Sequence, residues 1–175
     1  MLSVIGIHCK VDDKGKVSAT SGHAWLTVHF TNGRRDSVGL WPENDDLNNM
    51  ARLLIRDSVG FSKSSEEQLR VCWGKEIKGH YNPSASRYYG LRQGEQNKAI
   101  NCIGQFTGWR VTNNCTTWAT EKIKQIFGTS IAHSEFFGLL DNPRSLDATL
   151  KRLEAVCPST INNPVYQSAS LKRTR

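Results

Sequence analysis

The sequence predicts an α+β fold: a small antiparallel sheet carrying a histidine, packed against a helix that opens on a cysteine, with the remaining helices outside. Two local patterns and one chain-wide property point there. His23-Ala-Trp-Leu-Thr-Val-His-Phe30 has strand character and runs into Thr31-Asn-Gly-Arg34, an Asn-Gly hairpin signal, before a returning strand near Asp36 to Trp41. Asn113-Asn-Cys115 leads into Thr116 to Phe127, where Ala119, Ile123 and Ile126 share one helical face and Gly128 is the stop. The chain has 175 residues, of which 38% are hydrophobic and 22% charged, the composition of one ordinary globular domain able to bury a core.

Taken in order, Met1 to Cys9 is short, lacks a basic start and carries no small-residue cleavage site, so it does not read as a signal peptide. The hairpin comes next. With a two-residue Asn32-Gly33 turn, Thr31 faces Arg34, His29 faces Asp36 and His23 lies opposite Pro42; a longer loop moves His23 toward Glu43 or Asn44. Pro42 stops the strand, and Asp45 or Asp46 caps a helix with Leu47, Met50, Ala51 and Leu54 in register. Ser64-Ser-Glu-Glu67 has capping-box spacing and predicts a short helix ending near Trp73-Gly74. Residues 74–105 show neither period and read as a long, partly irregular connection of the kind that often serves function. Phe106 to Val111 is a candidate strand preceding the cysteine helix. A last helix is expected from a Ser145 cap, with Leu146, Leu150 and Leu153 on one side. The catalytic-size domain is therefore 1–157, followed by a polar, basic tail over 158–175.

Charge and cysteines narrow the function. The formal net charge is +7, from 23 Lys and Arg against 16 Asp and Glu. The basic residues are scattered apart from Arg34-Arg35 and Lys172-Arg173-Thr174-Arg175, and no recognition motif accompanies them, so no nucleic-acid partner is expected. No apolar run approaches the roughly 20 residues of a membrane helix. The five cysteines, at 9, 72, 102, 115 and 157, form no Cys-x-x-Cys pair and no zinc-ligand spacing, so neither a disulfide framework nor a metal site is predicted.

Cys115 is the candidate nucleophile. A helix N-terminus supplies free N–H donors and positive potential, which favour a thiolate and hold an oxyanion in the same place. The matching base is a histidine, because imidazole titrates near neutrality. His23, at the start of a strand behind Ser21-Gly22, is best placed; His29 shares its face by parity but lies six residues, about 20 Å, further on. His29 fits the hairpin end beside Asp36. A lone cysteine or a lone strand histidine is more often structural, so it is the combination that counts.

That combination resembles a known family. Gly22-His-Ala-Trp25 opening a hairpin that ends Gly39-Leu-Trp-Pro-Glu43, then Asn113-Asn-Cys-Thr-Thr-Trp118 opening a helix, is similar to the circularly permuted NlpC/P60 branch of papain-like cysteine hydrolases, where the histidine strand precedes the cysteine helix. Asn142-Pro-Arg-Ser-Leu146 resembles the Pro-x-Ser-Leu segment of permuted members, and the matched pieces cover about a third of the chain. The resemblance implies a papain-like fold with Cys115 as nucleophile, His23 as general base and a third polar residue on the neighbouring strand orienting the imidazole. Hairpin register decides that residue: Glu43 comes first, Asn44 second by diagonal contact.

The implied activity is acyl transfer without metal or cofactor, with hydrolysis of a peptidoglycan peptide amide as the expected reaction. Cell-wall peptides lie outside the cytoplasm, and the first residues, Met1 to Cys9, do not read as a classical export signal. Family members of this kind are often antibacterial toxins delivered by a secretion machine, as type VI secretion effectors, and neutralised by a cognate immunity protein. The resemblance thus implies a protein made in the cytoplasm, handed to a secretion component and acting in a target cell or its periplasm. A protein deamidase, a protease or a lipid acyltransferase would use the same dyad, and a non-catalytic binding module would keep the fold with the dyad incidental.

Overall fold

A computed structural model of the chain describes residues 1–11, 22–42, 69–78, 81–105, 114–132, 134–135 and 140–166. The elements run β1 (Leu2–Lys10), β2 (His23–Phe30), β3 (Arg35–Pro42), β4 (Leu69–Trp73), α1 (Lys75–Lys78), β5 (Ala85–Gly90), α2 (Glu95–Gly104), α3 (Cys115–Phe127), β6 (Ser134–Glu135), β7 (Leu140–Asp141) and α4 (Pro143–Val156). The first five strands form one antiparallel sheet in the order β4-β3-β2-β1-β5, and β6 with β7 makes a separate short pair. The fold is α+β, as the sequence predicts, and no helix among the described residues is long and apolar enough to cross a membrane.

Strand periodicity sorts β2 into two sets. Ala24, Leu26 and Val28 point to one face, and the register Ile7↔Leu26, Ile5↔Val28 and Leu26↔Val38 continues that apolar set across three strands. Helices α3 and α4 bring Trp118, Ala119, Ile123, Leu146 and Leu150 into the same core, all almost fully buried. Helix α3 packs on β2 and β3, α4 on β5 and β1, and α2 on α3. Cys9 ties strand to helix, its thiol donating to the Pro143 carbonyl at 2.9 Å.

The other face carries His23, Trp25, Thr27 and His29 from β2, with Gly6 and His8 beside them on β1. It is polar yet buried, so its groups need partners. The Thr27 hydroxyl sits 2.7 Å from His8 Nε2 and 2.8 Å from His29 Nε2, and His8 Nδ1 is 2.8 Å from Ser86 Oγ. A hydroxyl donates once and accepts twice, so one Thr27 serves two neutral imidazoles.

Several sequence expectations are corrected. The hairpin loop has three residues, Thr31 to Gly33: Phe30 N–H donates to the Arg34 carbonyl and Gly33 N–H to the Phe30 carbonyl, with Gly33 at φ 80°. The extra loop residue comes from the β2 side, so His29 pairs with Arg35 rather than Asp36, and the register moves His23 away from the end of β3 instead of toward Glu43. The stretch ending at Trp73 is strand β4, not helix, because Leu69-Arg-Val-Cys-Trp73 alternates and pairs with β3 from Pro42↔Leu69 to Val38↔Trp73. Residues 74–105, read as a long, partly irregular connection, contain α1, β5 and α2. The cap of α4 is Asn142, whose side chain accepts from Ser145 N–H with Pro143 in the first turn, three residues ahead of the expected Ser145. The expected helix over Leu47 to Leu54, the strand over Phe106 to Val111, and Glu43 and Asn44 lie outside the described residues.

Beyond α4 the chain follows the edge of the sheet. Ser159 Oγ accepts from Tyr88 N–H at 2.9 Å, and Val165 exchanges backbone hydrogen bonds with Tyr88 and Gly90, covering the open side of β5.

The buried histidines make stability pH-dependent. Burial, aided by Arg35 and by each other's charge at His8, holds His8 down at about 3 and, with Arg35, His29 at about 4, from an ordinary 6.5. The unfolded chain therefore binds more protons between about pH 4 and 6.5, and stability falls as pH drops through that range. Thermal unfolding midpoints measured from pH 7 to 4 should fall in the wild type, and His29→Gln should flatten the slope; an unchanged slope would contradict this account.

Candidate functional site

The site forms where β2 begins, and three separate elements deliver its groups. His23 is the first residue of β2. Cys115 is the first residue of α3, where the Asn114 side chain caps the helix by accepting from Thr116 N–H at 2.9 Å and Thr117 N–H at 3.2 Å. With those two amides engaged by the cap, the Cys115 N–H is the first-turn donor nearest the sulfur for a developing oxyanion.

Glu76 completes the group. It sits on α1, a single turn anchored to β3 through Ser37: Gly74 N–H donates to the Ser37 carbonyl at 2.7 Å and Ile77 N–H to Ser37 Oγ at 3.2 Å. This pinning aims the Glu76 carboxylate across β3 at His23, whose Nε2–H donates to Oε1 at 3.0 Å. Glu76 is 1% exposed and His23 7%, so the pair is shielded from water. The path crosses β3 at Gly39, where a Cβ would overlap Glu76 Oε1 and stand 3.1 Å from His23 Nε2. Gly39 is therefore required by the approach of carboxylate to imidazole.

Besides Glu76 on Nε2, the group that acts most strongly on His23 is the Cys115 side chain, and His23 in turn acts most strongly on Cys115. Burial alone would raise the Cys115 thiol. The hydrogen bonding and charge of His23, followed by the Ala24 backbone N–H, outweigh it, and the thiol lies below its ordinary value. Burial likewise opposes charge on His23, but Cys115 and then Glu76 raise it from 6.5 to about 9. The two shifts have a common origin, each group favouring the charged form of the other, and both move the pair toward thiolate and imidazolium with a carboxylate behind it. Such a pair is a poised sulfur nucleophile with an adjacent proton donor.

Aromatic rings hold the imidazole in place. Trp25 stacks on His23 with ring centroids 5.7 Å apart and planes 10° from parallel, and on its other side meets His8 at 5.4 Å and 24°. Tyr81 stands edge-on to both, at 6.1 Å from His23 and 6.0 Å from Trp25. An indole face against an imidazolium is attractive, so the stack supports the charged form as well as the orientation.

The structure thus brings together Cys115 and His23, two of the three residues singled out in the sequence. Glu43 lies outside the described residues, and the carboxylate that reaches His23 is Glu76. Glu76 was missed because its segment was read as a loop; the alternation of Leu69 to Trp73 was the available signal for a strand outside β3, with the turn at Gly74 following it. Among the described residues no group of three or more His, Cys, Asp or Glu side chains is arranged to hold a metal ion.

Glu76 stabilises the imidazolium, so Glu76→Gln should lower the upper limit of the ion-pair range from about 9 toward neutrality and raise the lower one. The rate of Cys115 alkylation by iodoacetamide, followed from pH 4 to 10, measures both limbs; a profile identical to wild type would remove Glu76 from the unit. Gly39→Ala should give the same change, because its methyl group displaces the carboxylate.

No family model matches the chain, and no curated protein and no solved structure matches it.

Proposed function

We propose that this protein is a cysteine amide hydrolase acting on peptidoglycan peptides through an acyl-enzyme. One observation carries the reading: a thiol at a helix N-terminus, lowered chiefly by a buried histidine, with that histidine backed by a buried carboxylate. A binding module has no need of that arrangement, since a buried carboxylate and imidazolium cost desolvation that apolar packing would avoid.

In this reading the Cys115 thiolate attacks the scissile carbonyl carbon, and the carbonyl π electrons move to oxygen. The Cys115 N–H holds that oxyanion. His23 gives its Nδ1 proton to the leaving amine as the tetrahedral intermediate collapses, leaving a thioester and a neutral imidazole. Water then loses a proton to His23 and attacks the thioester, and the thiolate–imidazolium pair returns with release of the acid. Glu76 keeps its hydrogen bond to Nε2 throughout, fixing the tautomer and stabilising each imidazolium stage.

The resemblance to permuted NlpC/P60 hydrolases, carried by Gly22-His-Ala-Trp25 and Asn114-Cys-Thr-Thr-Trp118, favours a cell-wall amide, and a chain of net charge +7 suits an anionic wall polymer. Delivery by a secretion machine, as a type VI effector restrained by an immunity protein, is the setting in which a chain of this kind meets that substrate.

The test is incubation of purified peptidoglycan with wild type and with Cys115→Ala, followed by mass analysis of soluble fragments. Wild type should release peptide fragments whose new termini identify the bond. Cys115→Ala should lose at least about three orders of magnitude in rate, with its circular dichroism and melting unchanged. Equal release by both proteins would sink the proposal.

A further inference from the structure

The electrostatic surroundings of His23 are unequal on its two sides. Toward β3 it meets the Glu76 carboxylate. Toward β1 its register partner is Lys10, the last residue of that strand, so the two side chains leave the sheet on the same face. The Lys10 ammonium lies over the Tyr81 ring, 5.3 Å from its centroid, and Tyr81 in turn stands edge-on to His23. Tyr81 is itself fixed by its backbone N–H, which donates to the Glu76 carbonyl at 3.0 Å. Lys10 and Tyr81 are both half-buried, so a cation is held in a defined place beside the reacting pair while still reaching solvent.

Among the described residues Lys10 has no carboxylate partner. A flexible lysine on an open surface would swing away from a neighbouring imidazolium; this one is kept near it by the aromatic ring. Two positive groups on one sheet face, with the carboxylate on the far side of only one of them, leave a position that an anion would neutralise.

We propose that Lys10, seated on Tyr81, binds a free carboxylate of the substrate, making acidic peptides the preferred class. The inference rests on Cys115 being the reactive sulfur of the proposed hydrolase. A substrate held at the sulfur and running past His23 toward β1 would bring a carboxylate near its scissile amide to Lys10, which lies on that side by register and by its contact with Tyr81. Lys10 is then a specificity determinant that attracts and orients the substrate and takes no part in bond making.

The experiment compares two alkylating reagents that differ in one charge, N-iodoacetylglycine and N-iodoacetylglycinamide. Both place the reactive carbon at the sulfur, and only the first carries a carboxylate one residue further. The rate of modification is read at the Cys115 peptide by mass spectrometry, and the ratio of the two rates cancels changes in the thiol itself. Wild type should favour the carboxylate reagent on the order of fivefold, the upper range of a partly exposed ion pair. Lys10→Arg should keep the preference and Lys10→Gln should lose it. Equal rates in wild type, or a preference that survives Lys10→Gln, would overturn the assignment while leaving the nucleophile intact. A wild-type Cys115 that reacts with the neutral reagent no faster than a free thiol peptide would remove the nucleophile, and this inference with it.

Discussion

The structure turns on one imidazole held from three sides. His23 donates to a carboxylate through Nε2, faces a sulfur with the rest of its ring edge, and lies flat against Trp25. The carboxylate and the sulfur come from distant parts of the chain: Glu76 is 53 residues away, on a turn hung from β3 through Ser37. The order β4-β3-β2-β1-β5 is what makes the meeting possible, because β4 must add outside β3 for the turn that follows it to point back over β3 toward β2. A buried carboxylate without a cation would cost several kcal/mol. Sheet order, the glycine at position 39 and the charge on His23 therefore stand or fall together.

Three histidines on one face of the sheet show how strongly surroundings set charge. His8 and His29 meet hydroxyls, which satisfy a neutral ring, and Arg35 opposes their protonation; they stay neutral well below the usual range. His23 is equally shielded from water but meets a carboxylate and a thiolate, and it stays charged well above that range. Trp25 lies between the two situations, one face toward charged His23 and the other toward neutral His8. Keeping His8 neutral is consistent with the stack, since a second imidazolium behind Trp25 would oppose the first.

The parts of this arrangement that were readable in the sequence are those set by local rules. Alternation in His23 to Phe30, the Asn-Gly hairpin signal, the helix start after Asn113-Asn-Cys115 and the stop at Gly128 each depend on a few neighbouring residues, and each gives the observed element. What the sequence did not yield depends on distant partners. One added loop residue on the β2 side reversed the expected shift of register, which removed the reason for choosing Glu43. Leu69 to Trp73 has the alternation of a strand, but the capping-box signal of Ser64 to Glu67 favoured a helix through the same stretch, and pairing with β3 decided the matter. Glu76 has no motif of its own. Its role comes from being carried to His23 by a strand whose place in the sheet cannot be read from spacing.

The same logic explains why one thiol stands apart from the others. Cys9 is buried in β1 near Asp147, with its S–H given to a carbonyl, and burial followed by that negative charge pushes it up. Cys102 is raised chiefly by burial, and its S–H goes to Gln125 Oε1. Both sulfurs face acceptors, which favour the protonated form. Cys115 is the reverse case: the hydrogen bonding and charge of His23 and the Ala24 N–H act on it from the donor side, and donors favour the thiolate. Desolvation raises all three thiols, so burial does not select the nucleophile; the direction of the surrounding hydrogen bonds does. The strand start supplies part of that direction through the Ala24 N–H, and the larger part arrives with His23, which is why the cysteine and the histidine are informative as a pair and nearly silent alone.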